Sequence, residues 1–164
     1  MEAKISSPVV EVHMLIHRSA AEVFEAFADP RITRHFWFSR SSGRLEAGKE
    51  VRWDWEMYGA STHVRVLAVD PGRRIHVEWN GPDNPSEIEW TFEPREPAAT
   101  FVRIKNWSFQ GDADRAIEQA LDAQGGFSFV LAGLKGYLEH GIELGLIADH
   151  DPDAVVATPV SRSV

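Results

Sequence analysis

The sequence predicts an α+β domain in which one long helix packs across a curved antiparallel sheet. Five stretches between residues 51 and 108 alternate apolar and polar residues with a period of two, and turns rich in Gly, Pro and Asp separate them. The last long segment, residues 112–147, has apolar residues at spacings of three, four and seven, which is typical of an amphipathic helix. Because short connections join consecutive strands, we expect an antiparallel meander within a sheet of six to seven strands.

One strand and two short helices are predicted before the meander. Residues 9–17 alternate in polarity and indicate a half-buried strand. Ser19 followed three residues later by Glu22 forms a capping box, which predicts the start of a helix. The Asp-Pro pair at residues 29–30 ends this helix and begins a second short one that reaches His35.

Length and composition set the domain organisation and exclude several classes of partner. The chain has 164 residues, enough for one domain with a sizeable core. We expect an N-terminal arm (1–8), a folded domain (9–147) and a flexible tail (148–164) that contains Asp, Pro and Ser without periodicity. The net charge of -8 and the absence of a long basic cluster argue against a nucleic-acid partner.

No sequence feature indicates a membrane span, a signal peptide or a disulfide. No apolar run approaches the ~20 residues that a transmembrane helix needs, and residues 1–8 lack the apolar core of a signal peptide. We therefore expect a cytoplasmic protein. The chain contains no cysteine, which excludes disulfides, thiolate catalysis and cysteine metal sites.

The predicted apolar faces of sheet and helix differ in bulk. Four tryptophans have the inward parity on their strands: Trp53, Trp55, Trp79 and Trp90. The helix stripe begins with small residues, includes Gln124 as its polar member and ends with large residues, in the order Ala113, Ala116, Ala120, Phe127, Leu131, Leu134, Leu138 and Ile142. Large aromatic rings opposite the half of the helix that has small side chains predict a cavity between sheet and helix. The alternative is that the rings fill this space and the alanines pack closely.

We expect this cavity to bind an apolar small molecule, oriented by a few inward polar groups. The predicted lining comprises Phe36, Trp37, Trp53, Trp55, Met57, Thr62, Trp79, Trp90, Asn106, Gln124, Phe127 and Leu131. Phe36 and Trp37 follow the second short helix and are predicted at the cavity mouth, unless they pack at the sheet edge. Among the polar members, Thr62, Asn106 and Gln124 either orient a ligand or satisfy one another or a buried water.

The charged residues do not form a recognisable metal or catalytic motif. His13 and His17 have the spacing of a metal pair on a helix, but on a strand four residues span roughly 13 Å, so one ion cannot bind both. We expect no metal and no cofactor, and the catalytic residues, if the protein is an enzyme, are unknown.

A charged cluster is predicted on the outer face of the sheet. Asp54 and Glu56 share one strand face, and His63 and Arg65 share a face of the next strand. A bulge that reversed the register of one strand would instead turn these residues inward, where they could serve as general acids or bases.

Three stretches resemble one known family. Residues 10–38, 69–79 and 126–141 are similar to the opening strand and helix, the central turn and strand, and the final helix of the SRPBCC or START-like superfamily, in the branch similar to the activator of heat-shock-90 ATPase homologue. The resemblance covers about residues 9–147 and implies the helix-grip fold. Phe127 stands where the family prefers Trp, and Asn106 stands near a position often occupied by His, so the pocket lining differs.

The resemblance implies a cavity rather than a particular reaction. Members of this type are thought to bind apolar small molecules, and relatives elsewhere in the superfamily are cyclases, lipid carriers or hormone receptors. We therefore expect binding of an aromatic or lipid-like small molecule. Two alternatives stay open: a polyketide cyclase-like or hydrolase-like enzyme that uses polar cavity residues, and an interaction protein that modulates a chaperone or forms a homodimer.

Overall fold

The computed structural model describes residues 7–154 and the backbone of residues 162–163. Strand β1 (Val10–Ile16) leads into helices α1 (Ala20–Ala28) and α2 (Pro30–Thr33). The capping box is confirmed, because the Ser19 hydroxyl accepts a hydrogen bond from the backbone N–H of Glu22 at 3.3 Å. Asp29 caps α2 in the same way, accepting from the N–H of Arg31 at 3.0 Å.

Among the described residues, seven antiparallel strands form the curved sheet. The strands after β1 are β2 (Arg40–Ser41), β3 (Glu50–Trp55), β4 (Ala60–Asp70), β5 (Arg74–Trp79), β6 (Ser86–Arg95) and β7 (Ala99–Trp107). Their spatial order is β1-β7-β6-β5-β4-β3-β2, so the predicted meander is confirmed. A two-residue strand, β8 (Arg162–Ser163), pairs in parallel with the start of β4. The turn predicted after β4 contains Gly72, whose φ of 75° suits glycine.

The period-two pattern correctly predicted which strand residues face the core. Along β6, Ile88, Trp90 and Phe92 are buried, while Glu87 and Glu89 between them are partly exposed. Trp53 and Trp55 are buried by the same alternation on β3, and Trp79 at the end of β5 is half-buried. The α+β helix-grip architecture follows, because this aromatic face is covered by the long helix that comes next in the chain.

The long helix α3 (Ala113–His140) is shorter than predicted. Asp112 caps its start, accepting from the N–H of Arg115 at 2.9 Å. Gly141 ends it with a left-handed φ of 67°, and α4 (Leu146–Asp149) and a 3-10 turn (Pro152–Ala154) follow. The prediction of one helix through residue 147 is therefore wrong: Ile142 keeps the phase of the stripe, but it lies beyond the terminating glycine and is half exposed.

The buried face of α3 follows most of the predicted stripe. Its buried members are Ala116, Ala120, Phe127, Leu131 and Leu134, and Leu138 packs against the core. Ala113 and Gln124 are exposed, so the prediction that they face inward is wrong. Gly133 permits close approach to Phe36, whose Cβ would lie 3.2 Å from a Cβ at position 133. Residues 1–6, 155–161 and 164, which belong to the predicted arm and tail, lie outside the described residues.

Candidate functional site

A cavity of about 620 Å³ lies between the sheet and the first half of α3. Trp55 and Trp79 contribute from the sheet, and Trp37 contributes from the loop after α2. The helix contributes small residues at 123, 125 and 126, followed by Phe127. The cavity thus occupies the place where the sequence opposes large rings to a thin stretch of helix.

Trp37 is the centre of the aromatic wall. Its ring centroid lies 4.8 Å from that of Trp53 and 5.8 Å from that of Phe127. The rings of Trp79 and Phe127 also contact each other, with centroids 5.8 Å apart. Tilted and edge-on contacts of this kind stabilise aromatic clusters beyond their burial alone. The wall is therefore a packed surface, whose inner layer fills space and whose outer layer lines the cavity.

The predicted lining residues divide between these two layers. Trp37, Trp55, Trp79, Asn106 and Phe127 line the cavity. Trp53, Trp90 and Leu131 are fully buried behind it and do not line it. Large rings do fill part of the space, which was the alternative interpretation, but they leave the outer part open.

Four other predicted residues lie away from the cavity. Phe36 packs edge-on against Phe27 at 5.5 Å and is buried, so it does not form the mouth. Met57 is half-buried in the 3-10 turn Glu56–Tyr58. Thr62 is buried, and its hydroxyl accepts from the N–H of Asn80 at 3.0 Å. Gln124 faces away from the cavity on the exposed side of α3.

Asn106 provides a buried polar group in the cavity lining. Its amide Nδ2 donates to Ser86 Oγ at 3.1 Å and to the carbonyl of Glu87 at 2.8 Å. Trp79 Nε1 donates to the same Ser86 hydroxyl at 2.8 Å, so the indole and the amide are fixed together. The Asn106 side chain is 1 % exposed, and its Oδ1 has no hydrogen-bond partner among the described residues. An unpaired buried acceptor costs about 1–3 kcal/mol, so a donor that came within reach of this oxygen would be stabilised.

Loop residues that sequence reasoning missed complete the polar rim. Asn80 lines the cavity with a left-handed φ of 71°. Asn84 donates to Gln119 Oε1 at 3.1 Å, which links the β5–β6 loop to α3. Gln119 in turn donates to the carbonyl of Gln110 at 2.8 Å. No periodicity marks these positions, and only the turn signal at residues 80–85 could have drawn attention to them.

The segment after α3 covers one side of the cavity. Ile147, His150, Asp151 and Ala154 belong to the lining. The Tyr58 hydroxyl donates to the carbonyl of Ile147, which ties this segment to the sheet side. Burial raises the pKa of the Tyr58 hydroxyl, and the carboxylates of Asp151 and Asp149 raise it further, so the phenol remains protonated and able to donate.

The residues predicted to form an outer charged cluster do not pair with one another, and none of them lines the cavity. Asp54 is buried beneath two guanidinium groups, accepting from Arg52 Nε at 2.8 Å and from Arg40 Nε at 3.1 Å. Burial raises the pKa of Asp54, but the hydrogen bonds from Arg52 and Arg40 lower it more. The pKa therefore lies below the ordinary value for Asp, and the carboxylate stays ionised to a lower pH than usual. Arg65 pairs with Glu78 instead, at 3.3 Å. This group is a structural ion-pair network outside the cavity lining.

The described part of the chain has neither a metal-binding cluster nor a membrane-spanning helix. Within it, no group of three or more His, Asp or Glu side chains is placed to hold a metal ion. None of the described helices is long and apolar enough to cross a membrane.

Solved structures resemble this fold over most of the chain. The protein SSP2350 from Staphylococcus saprophyticus is 31% identical, with a TM-score of 0.71 over 84% of this chain and 96% of that chain. DynU16, a putative protein in the dynemicin biosynthetic locus, is 23% identical, with a TM-score of 0.71 over 82% of this chain and 48% of that one. The Aha1 dimer from Colwellia psychrerythraea is 19% identical, with a TM-score of 0.70 over 82% of this chain and 98% of that chain. The last two likenesses show the fold alone.

The comparison with curated proteins finds no match. A family model does match residues 17–139, which is well over half of the chain. The match begins just after β1 and stops within the last turn of α3, so α4 and the 3-10 turn lie beyond it. It agrees with the resemblance recognised in the sequence. The chain therefore belongs to the family of the Activator of Hsp90 ATPase homolog 1-like proteins.

Proposed function

We propose that this protein binds a largely apolar, aromatic small molecule that carries a hydrogen-bond donor. The observation that supports this most strongly is the unpaired, buried Oδ1 of Asn106 in the lining of an aromatic cavity. A volume of about 620 Å³ is within the ~300–1,000 Å³ typical of small-molecule pockets.

The cavity walls suit a flat, apolar ligand. The rings of Trp55, Trp79 and Phe127 present aromatic surface, and burial of apolar ligand surface contributes about 25 cal/mol per Å². The helix side is thinned by Gly125 and Gly126, where an added Cβ would meet nothing within 4 Å. Packing therefore does not require glycine at either position. Each glycine nevertheless destabilises the helix by up to ~1 kcal/mol relative to alanine. The space beside these two glycines, which both line the cavity, is open.

The polar group at Asn106 sets the chemistry of one end of the ligand. Both hydrogens of its amide are committed to Ser86 and Glu87, so Oδ1 can only accept. A ligand hydroxyl or N–H that reaches Oδ1 removes the penalty of the unpaired oxygen. A purely apolar ligand of the same shape leaves this penalty in place and binds more weakly.

Isothermal titration calorimetry with three matched probes tests this proposal. Naphthalene, a methoxynaphthalene and the corresponding naphthol have similar shape, but only the naphthol donates. We expect the naphthol to bind most tightly to the wild type, and Asn106→Leu to remove its advantage. Thr91→Val, which removes a hydroxyl outside the cavity lining, is the control and should keep the advantage. Absence of heat and of any thermal shift with all three probes contradicts the proposal.

Self-association is a second proposal, supported by an exposed apolar pair. Ile117 and Leu121 lie one turn apart on α3 and are 46% and 69% exposed. The Colwellia relative is described as a dimer, which makes the same state worth testing here. Light scattering of wild type and Ile117→Glu, which changes the member of the pair outside the cavity lining, should show a dimer that the substitution disrupts. A wild-type monomer at high concentration would contradict this proposal. A chaperone partner remains a proposal from the family name alone.

A further inference from the structure

The cover of the cavity lies beyond the residues that the family model matches. The family match ends at residue 139, whereas Ile147, His150 and Asp151 lie beyond it and line the cavity. The cover is held in place by the Tyr58 hydroxyl bond to the Ile147 carbonyl and by contact between the rings of His150 and Phe129, whose centroids are 5.1 Å apart.

The position of the His150 ring fixes which nitrogen can accept a hydrogen bond. Its Nδ1 lies 2.7 Å from the carbonyl oxygen of Ile147 and 3.2 Å from that of Leu146. Carbonyl oxygens only accept, so Nδ1 carries the hydrogen. In a neutral imidazole the other nitrogen, Nε2, is then an acceptor. Nε2 is on the edge of the ring turned away from these carbonyls, and no described residue forms a hydrogen bond with it.

Two residues with acceptor atoms therefore line the cavity. Asn106 Oδ1 is on the sheet and is buried, whereas His150 belongs to the cover and is exposed at the rim. One ligand that spans the cavity would meet Asn106 with its inner end and His150 with its outer end.

We infer that His150 is a specificity-determining residue, and that the preferred ligands are aromatic compounds with a hydroxyl or N–H donor at each end. This inference rests on the proposed function and extends it by naming the ligand class. Asn106 Oδ1 accepts from the inner donor and His150 Nε2 accepts from the outer one. The aromatic body between the two donors contacts Trp55, Trp79 and Phe127.

The competing chemistry at the rim is a carboxylate. Arg115 also lines the cavity, and its guanidinium forms no ion pair within residues 7–154. A ligand with an outer carboxylate would use Arg115 rather than His150. The nearby carboxylates of Asp122 and Asp151 oppose such an anion, which favours the neutral donor.

The test compares the wild type with His150→Asn. The asparagine amide can take the place of Nδ1 and keep the bond to the Ile147 carbonyl, but it provides nothing at the position of Nε2. The probes are naphthol, a naphthalenediol with hydroxyls at opposite ends, the three-ring anthracenediol, and a hydroxynaphthoic acid. The control variant is His140→Asn, which changes an exposed histidine outside the cavity lining.

We expect at least one diol to bind the wild type about 3- to 10-fold more tightly than its mono-hydroxyl analogue. His150→Asn should abolish that ratio and leave the mono-hydroxyl affinity unchanged, while His140→Asn keeps the ratio. Equal weakening of both probes by His150→Asn would show a merely structural role and overturn the inference. Tightest binding by the hydroxynaphthoic acid, lost in Arg115→Gln, would overturn it in favour of a carboxylate ligand. If naphthol binds but no diol binds better, the inference fails and the proposed function stands; if no probe binds, both fail.

Discussion

Replacement of Asn106 by Leu should separate ligand binding from folding stability. Asn106 Nδ2 forms two hydrogen bonds, to Ser86 and Glu87, each worth about 0.5–1.5 kcal/mol net. Its unpaired Oδ1 costs about 1–3 kcal/mol. Removal of the amide loses the first contribution and relieves the second, so the two nearly cancel. Leu also suits the neighbourhood, because the residues paired with position 106 across the sheet are Val10 and Ile88.

We therefore expect the free energy of unfolding of Asn106→Leu to lie within about 1 kcal/mol of wild type. Urea denaturation followed by tryptophan fluorescence measures this difference. Naphthol affinity should fall about 5- to 100-fold, the equivalent of about 1–3 kcal/mol, while naphthalene affinity stays constant. A loss of more than about 3 kcal/mol of stability would refute the reasoning, because it would show that Asn106 is fully satisfied and mainly structural.

Three further substitutions test other parts of the account. Gly126→Leu should obstruct the cavity and lower naphthol affinity more than tenfold in calorimetry. Gly126→Ala should retain binding and raise the free energy of unfolding by up to ~1 kcal/mol. Unchanged binding in the Leu variant would contradict the location of the site. Tyr58→Phe removes the bond to the Ile147 carbonyl, so naphthol should dissociate about 3- to 10-fold faster in stopped-flow measurements, and an unaltered rate would show that this bond does not hold the cover. The pKa of Asp54 is lowered in the folded protein, so its contribution to stability is present above the ordinary value of 3.8 and is lost as the pH falls through the lower folded value. Asp54→Asn should therefore lower the free energy of unfolding in urea at neutral pH, and should lower it progressively less below pH 3.8. The exposed Asp83→Asn is the control and should have no effect. A difference in stability between wild type and Asp54→Asn that does not change with pH would count against the ion-pair explanation.

Local signals in the sequence were sufficient for most of the fold. The capping box at Ser19 and the turn at residues 70–72 each depend only on residues that are close in sequence. Their residue types therefore predict the local backbone conformation directly. Period-two alternation placed Trp53, Trp55 and Trp90 on the buried face, because one face of the sheet is covered by α3.

The end of α3 was mispredicted because periodicity and backbone conformation disagree there. Ile142 continues the apolar stripe, but Gly141 adopts a left-handed φ that ends the helix. The stripe also suggested that Gln124 faces inward, whereas Phe127 and Leu131 define a buried face from which Gln124 is turned away. A single glycine with positive φ thus ends the helix even where the next residue continues the apolar stripe.

The candidate site was only partly predictable because half of it is built by tertiary contacts. Trp37 and Phe36 are neighbours in sequence, yet Phe36 packs on Phe27 in the core and Trp37 reaches the cavity. Asn80 belongs to a turn, and His150 belongs to a segment that shows no periodicity in the sequence. Their approach to the cavity depends on how α3 ends and on where the chain returns, which no local pattern encodes.

Indole N–H signals provide the most direct measurement of the proposed site. The chain has six tryptophans, and each gives one indole resonance in a nitrogen–proton correlation spectrum. On titration with naphthol, the resonances of Trp55 and Trp79 in the cavity wall should shift, with Trp79 reporting through its bond to Ser86. The resonance of Trp107, which stacks on His76 away from the cavity, should stay in place. Shifts confined to Trp107, or no shifts at saturating naphthol, would contradict binding between the sheet and α3.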